Sequence, residues 1–116
     1  MEIPKITDEQ ANASNTMSEA VFVNAKEHGW WETDRNNGEM IALMHSELSE
    51  ALEYLRHEPA MDDHCPELLG PEAEFADTVI RIMDFCWARG YNLGKAIQIK
   101  HAYNMNRKYR HGGKKF

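Results

Sequence analysis

Four acidic side chains stand in two pairs that share one spacing. Glu47 and Glu50 form the first pair, and Glu74 and Asp77 form the second. Residues three apart lie on the same face of a helix, so each pair presents two carboxylates side by side. Four carboxylates that face each other repel, and at least one takes up a proton unless a cation neutralises the group. Carboxylate oxygens are the ligands preferred by Mg²⁺ and Mn²⁺, and four acids suffice for a site with more than one ion.

Two alternative interpretations of these acids compete with a magnesium site. Acid pairs at this spacing are common, so the simplest alternative is two solvated acidic stripes. Glu53 repeats the spacing after Glu50 but lies on the solvated side of the helix. A di-iron helical bundle uses Glu-x-x-His motifs, and no glutamate here precedes a histidine by three residues. This absence disfavours iron.

The elements that must position the acids are helices. Helical periodicity, caps and breakers predict four of them, over about residues 7–28, 38–57, 71–89 and 93–110. We find no strand-like alternation, internal repeat or low-complexity segment. The sequence therefore predicts an all-α bundle of four main helices. Residues 1–116 form one domain, and residues 111–116 form a basic C-terminal tail.

The acids do not lie on the most apolar faces of their helices. On a helical wheel, two apolar stripes predict the faces buried in the core. The stripe of the second helix contains Ile41, Met44, Leu48, Leu52 and Leu55, and that of the third contains Phe75, Val79, Ile82 and Cys86. Glu47 and Glu50 project from another, partly apolar face, where a carboxylate is costly without a partner. A short connector folds the two helices antiparallel, so the acid pairs are predicted to meet.

Charge and composition exclude several classes of protein. The net charge is −6, yet residues 100–116 contain six lysines and arginines and no acid. Because residues 1–99 are strongly acidic, the chain is poorly suited to binding along duplex nucleic acid. No apolar run is long enough for a membrane span, and the N-terminus lacks the features of a signal peptide. Two cysteines do not make a disulfide framework, so the expected location is cytoplasmic.

The acid spacing and a basic element near the C-terminus together resemble a known family. ExxE at Glu47 and Glu50 is followed, after 23 residues, by ExxD at Glu74 and Asp77. The segment KHAYNMNR contains a K-x-x-x-N-x-x-R element, formed by Lys100, Asn104 and Arg107. This combination resembles the MazG-type, all-α nucleoside triphosphate pyrophosphohydrolases. The segment GWWE, residues 29–32, is similar to the base-contacting region of the related deoxycytidine triphosphate pyrophosphatases.

The resemblance implies a reaction, a cofactor and a set of roles. A nucleoside triphosphate would be hydrolysed between its α and β phosphates, giving a monophosphate and pyrophosphate, so that unwanted nucleotides are cleared. The four acids would hold Mg²⁺, with Mn²⁺ as a possible substitute. Lys100 and Arg107 would contact phosphate oxygens, and Asn104 the sugar or a phosphate. These three residues share one helix face, and Arg and Lys are suitable phosphate donors, whereas the alternative is surface charge.

The general base and the tryptophans are less constrained by the resemblance. Some family members carry an extra glutamate just before the first motif acid, where this chain has Ser46. The catalytic candidates are therefore Glu47 and Glu50. We expect Trp31 in the nucleotide pocket, since aromatic rings stack on bases, and Trp30 in packing.

Assembly and function are open to alternatives. The family usually forms homodimers or homotetramers, and the apolar residues on two sectors of the second helix also predict a homo-oligomer. Its interface is expected to involve Met40, Leu43 or the first helix. A non-catalytic adaptor with an acidic docking face is the second hypothesis. A metal-sensing or storage bundle is the third.

Overall fold

Four helices follow one another in the computed structural model, which describes residues 2–57 and 60–107. They are α1 (Asp8–Glu27), α2 (Asn37–Leu55), α3 (Gly70–Arg89) and α4 (Leu93–Met105). The prediction of an all-α chain with four helices is confirmed for these residues. α4 ends at Met105 rather than near residue 110, and the predicted tail 111–116 lies outside the described residues. None of these helices is long and apolar enough to cross a membrane.

Side-chain caps and a glycine set the ends of the helices. Thr7 and Gln10 form a reciprocal capping box at the start of α1, with bonds of 3.0 and 3.1 Å. Asn36 and Asn92 cap α2 and α4 by accepting a backbone N–H from the first turn. Gly90 ends α3 in the left-handed conformation, with φ of 75°. These local signals explain why the helix starts could be predicted closely.

The helices are arranged so that α3 lies between α2 and α1, and α4 packs on α1. Asn15 of α1 donates to Asn92 Oδ1 at 2.7 Å and accepts from the Gly94 N–H at 2.8 Å. Gln98 of α4 donates to the Ile6 carbonyl at 3.0 Å. Among the described residues, α4 has no contact with α2. The helix that carries the basic element therefore packs away from the helix that carries the first acid pair.

Most residues of the predicted core stripes are exposed, which corrects the prediction, although Met44, Ile82 and Cys86 are half-buried. Ile41, Leu48, Leu52 and Leu55 of α2 are between 42% and 63% exposed, and Phe75 and Val79 of α3 are also exposed. The face of α2 that packs on α3 is the one with the acids. The buried apolar residues among those described are Ala11, Met40, Ala51, Ala73 and Met83. Periodicity identifies an apolar face, but it does not say whether the same chain covers that face.

The core of the single chain is thin as a result. Its radius of gyration is 16.9 Å, whereas a compact domain of this length has roughly 13 Å. Met40, which we predicted for an interface between copies, is 4% exposed and therefore already buried inside the chain. Leu43 is half-buried, and α1 exposes Met17 and Val23. α2 and α3 also leave several large apolar side chains exposed.

Candidate metal centre

Three of the four predicted acids converge between α2 and α3. One carboxylate oxygen from each of Glu47, Glu50 and Glu74 lies within 4.8 Å of the other two. Glu74 is 8% exposed and the Glu47 side chain is 12% exposed, whereas Glu50 is exposed. Oxygens at such separations can bind the same cation, because Mg²⁺ and Ca²⁺ hold oxygen ligands at roughly 2.0–2.6 Å. We call these three residues the acid trio.

Glu74 is the member of the acid trio that most needs a cation. Its Oε2 atom is buried and accepts no hydrogen bond from the described residues. The pKa of Glu74 is raised to about 8, first by burial and then by the neighbouring Glu47 and Glu50 carboxyls, which share its proton and repel its charge. A buried anionic oxygen without a donor costs free energy, which either a proton or a cation can offset. The donor set therefore fits a hard divalent ion.

Glu47 has one cationic partner, Arg81 of α3. Arg81 Nε donates to Glu47 Oε1 at 3.0 Å, and both side chains are largely shielded from solvent. We did not predict a functional role for Arg81. The available signal was its position, since Arg81 follows Asp77 by four residues and therefore shares its face of the helix.

Asp77 lies at the edge of the trio rather than inside it. It is exposed, and it lines a cavity together with Glu47. Partial shielding of its carboxyl raises the pKa of Asp77, the Glu47 charge raises it further, and Arg81 lowers it. The structure therefore brings the predicted four acids together as a group of three with one neighbour.

Two cavities of similar size flank the acid trio. The first, of about 530 Å³, reaches Glu50 and Glu74, and we call it the acidic cavity. Its other titratable lining residues are Glu53, Tyr54, His57, Asp62, Asp63 and His64. The second, of about 500 Å³, reaches Glu47 and Asp77, and we call it the guanidinium cavity. Its lining also includes Asn24, Trp30, Arg35, Arg81 and Asp84.

Tyr54 shows how negative the acidic cavity is. Desolvation raises the pKa of Tyr54, and the carboxylates of Asp63 and Asp62 add to that increase. The Tyr54 ring lies against Gly70, where a Cβ atom would clash with the ring. Glycine at this position thus allows α2 and α3 to approach closely beside the site.

The two tryptophans are placed differently from the prediction. Trp30, which we expected in packing, is 56% exposed and lines the guanidinium cavity. Trp31 donates from Nε1 to Asp84 Oδ1 at 2.9 Å, and its ring centroid lies 5.9 Å from that of Phe22. Burial raises the pKa of Asp84, and the hydrogen bond from Trp31 opposes this effect. Trp31 therefore anchors the loop between α1 and α2, and Trp30 is the ring that faces the cavity.

The basic element of α4 does not reach the acid trio within one chain. Lys100, Asn104 and Arg107 are exposed, and they line neither cavity. Lys100 Nζ lies 4.9 Å from the centre of the Tyr103 ring. Ser46 is exposed and donates to the Leu43 carbonyl at 2.7 Å. Neither region adds a carboxylate to the site.

Comparison with known proteins supplies no match. No protein family, curated protein or solved structure matches this chain.

Proposed function

We propose that the chain is a Mg²⁺-dependent enzyme that hydrolyses nucleoside triphosphates to a monophosphate and pyrophosphate, and that it clears unwanted nucleotides. The observation that carries the proposal is the buried carboxyl of Glu74: one of its oxygens lies within 4.8 Å of oxygens of Glu47 and Glu50, and its Oε2 atom has no hydrogen-bond partner among the described residues. A cation at this position offsets the cost of burying the charge. The adjoining guanidinium cavity offers cationic and aromatic groups to the remainder of a nucleotide.

The acid trio would hold the cation, and Asp77 would contribute from its edge. When bound, Mg²⁺ or Mn²⁺ would neutralise phosphate charge and lower the pKa of a nearby water. Phosphoryl transfer requires positioning and charge neutralisation more than covalent help from the protein. Carboxylates held on two packed helices would supply such positioning of the cation and the phosphate.

The proton of the attacking water is best accepted by Glu50. Glu47 already accepts a hydrogen bond from Arg81, so one of its oxygens is occupied. Ser46 provides no basic group. Glu50 is exposed to the acidic cavity, so it can pass a proton to solvent.

The other substrate contacts depend on the surroundings of the site. Trp30 is positioned to stack on a base, while Trp31 supports the loop that carries it. Lys100, Asn104 and Arg107 would reach the acid trio from a second copy, because α4 has no contact with α2 in its own chain.

Self-association is part of the same proposal. α2 and α3 expose the apolar stripes that a self-contained bundle would bury. Large exposed apolar patches mark interaction surfaces, and a second copy carries the same complementary stripes. A homodimer or homotetramer would cover these faces.

Pyrophosphate release from a panel of ribo- and deoxynucleoside triphosphates tests the activity. We expect release with Mg²⁺ and none with a chelator. Glu50→Gln should abolish turnover without loss of helicity, because it removes a carboxylate of the acid trio. Glu53→Gln is the matched control, since Glu53 lies three residues further along α2 and its side chain is 62% exposed.

Three results would contradict the proposal. Near wild-type turnover in Glu50→Gln would remove the acid trio from the reaction. Absence of turnover with every nucleotide, with no requirement for a divalent ion in any function, would favour the adaptor hypothesis. Ion binding without turnover would favour the sensing or storage bundle.

A further inference from the structure

The two cavities beside the acid trio differ in their charge. Carboxylates dominate the lining of the acidic cavity, and no lysine or arginine among the described residues contributes to it. The guanidinium cavity is lined by Arg35 and Arg81 together with Glu47, Asp77 and Asp84. A polyphosphate carries several negative charges, so the acidic cavity repels it, whereas the guanidinium cavity offers two guanidinium groups to its oxygens. Among the described residues, cationic donors therefore line only one of the two cavities beside the acid trio, and phosphates can lie on that side.

Arg81 is available for a second contact. Within residues 2–57 and 60–107, its guanidinium makes one hydrogen bond, from Nε to Glu47 Oε1 at 3.0 Å. A guanidinium has five N–H donors in a fixed plane, so its two Nη groups remain able to donate. The bond to Glu47 holds that plane at the boundary between the acid trio and the cavity. An anion held by a cation on the trio would therefore lie within reach of Arg81.

Arg35 reaches the same cavity from the loop between α1 and α2. Its guanidinium carbon lies 5.4 Å from the centre of the Trp30 ring and 5.8 Å from that of Trp31. No hydrogen bond from this guanidinium to another described residue is formed. Stacking on aromatic rings fixes the orientation of an arginine and leaves its N–H edge free for an anion. The loop itself is fixed, since Arg89 donates to the Arg35 carbonyl at 2.7 Å.

We propose that Arg81 and Arg35 together bind the phosphate groups of the substrate inside the guanidinium cavity. This inference rests on the proposed function, and it identifies the ligand class of that cavity as a polyphosphate ester or inorganic pyrophosphate. Arg81 links the two parts of the site, because one edge of its guanidinium holds Glu47 and the other edge meets the phosphate. Trp30, stacked on Arg35, then lies next to the remainder of the nucleotide.

Binding of pyrophosphate to the Mn²⁺-loaded protein, measured by calorimetry, tests the inference without requiring turnover. Arg81→Gln and Arg35→Gln should each weaken pyrophosphate binding by about 10- to 100-fold, as expected for a lost charge-assisted hydrogen bond. Arg56→Gln is the matched control, because Arg56 is an exposed arginine on the same side of the chain as Glu53, with which it pairs at 3.8 Å. It should bind pyrophosphate within about twofold of wild type.

A second titration separates phosphate binding from a structural role. Mn²⁺ alone should bind Arg81→Gln at least as tightly as it binds wild type, because removing the guanidinium leaves Glu47 with no competing cation. A variant that merely disturbs the fold would lose affinity for Mn²⁺ and pyrophosphate together, and that result would overturn the inference. Pyrophosphate affinity within twofold of wild type in either arginine variant would overturn it as well. Wild type that binds pyrophosphate through both arginines but hydrolyses no nucleotide would refute the proposed function and leave the inference standing.

Discussion

Removal of the Glu74 carboxylate should change how the stability of the metal-free protein depends on pH. The pKa of Glu74 is raised from 4.5 to about 8, so the folded chain holds this proton more tightly than the unfolded chain. The associated stability is fully present below about pH 4.5 and is lost as the pH rises towards 8. In Glu74→Gln, the amide cannot ionise, and this loss should disappear.

The size of the effect follows from the shift and from the surroundings of the group. At about 1.36 kcal/mol per pKa unit, the full shift corresponds to at most ~5 kcal/mol. Glu50 is exposed and the acidic cavity is open to water. We therefore expect solvent screening to leave about 1–2 kcal/mol. For a chain of this size, a free-energy difference of that size lowers Tm by about 3–8 °C between about pH 4.5 and pH 8.

Thermal unfolding in the presence of a chelator, followed by circular dichroism, measures this difference. Asp77 and Asp84 also have raised pKa values. The Tm of Glu74→Gln should therefore still fall with rising pH, but less steeply than that of wild type. Glu19→Gln, an exposed acid on α1, should behave as wild type. Saturating Mn²⁺ should raise Tm most at high pH, because the ion displaces the proton and binding adds stability. If Tm depended on pH equally in wild type and in Glu74→Gln, the assignment of the raised pKa to Glu74 would be refuted.

Three further perturbations test the assembly and the packing. Leu48→Asp should reduce the oligomer to a monomer in light scattering, whereas Ser46→Asp on the solvated side of the same helix should not; a wild-type monomer at micromolar concentration would contradict self-association. Gly94→Ala should destabilise the chain by about 1–3 kcal/mol in denaturant unfolding, because its Cβ clashes with the α1 backbone; unchanged stability would show that the two helices can separate freely. Mixing inactive Glu50→Gln with inactive Lys100→Ala should restore part of the activity if one copy supplies the acids and another supplies α4; no recovery in proven mixed oligomers would argue against sites shared between copies.

Local signals in the sequence predicted the elements well. The capping box at Thr7, the cap at Asn92 and the terminator Gly90 each act within one helical turn. The acid spacing predicted the convergence of Glu47, Glu50 and Glu74, because that convergence requires two helices packed side by side and little else.

Contacts between residues far apart in the sequence could not be predicted from such local patterns. A helical wheel showed two faces on α2, but the exposed stripe and the face packed on α3 differ only in what covers them. Arg81 carried a visible signal in its helical sector, whereas Arg35 is a loop residue placed by Arg89 of α3, a contact that links residues far apart in the chain. The placement of Trp31 involves a hydrogen bond to Asp84 and a ring contact with Phe22, and the first of these joins residues 53 positions apart.

The exposed stripes on α2 and α3 have a consequence for how the chain responds to dilution. A single copy buries few large apolar side chains among its described residues, with only alanines and two methionines in its core. If copies associate as proposed, much of the hydrophobic free energy available to this sequence is released only when they meet. Folding and association would then be one equilibrium, and the midpoint of unfolding would rise with protein concentration. The abundance of the chain in its compartment would thereby set the fraction of copies that are intact.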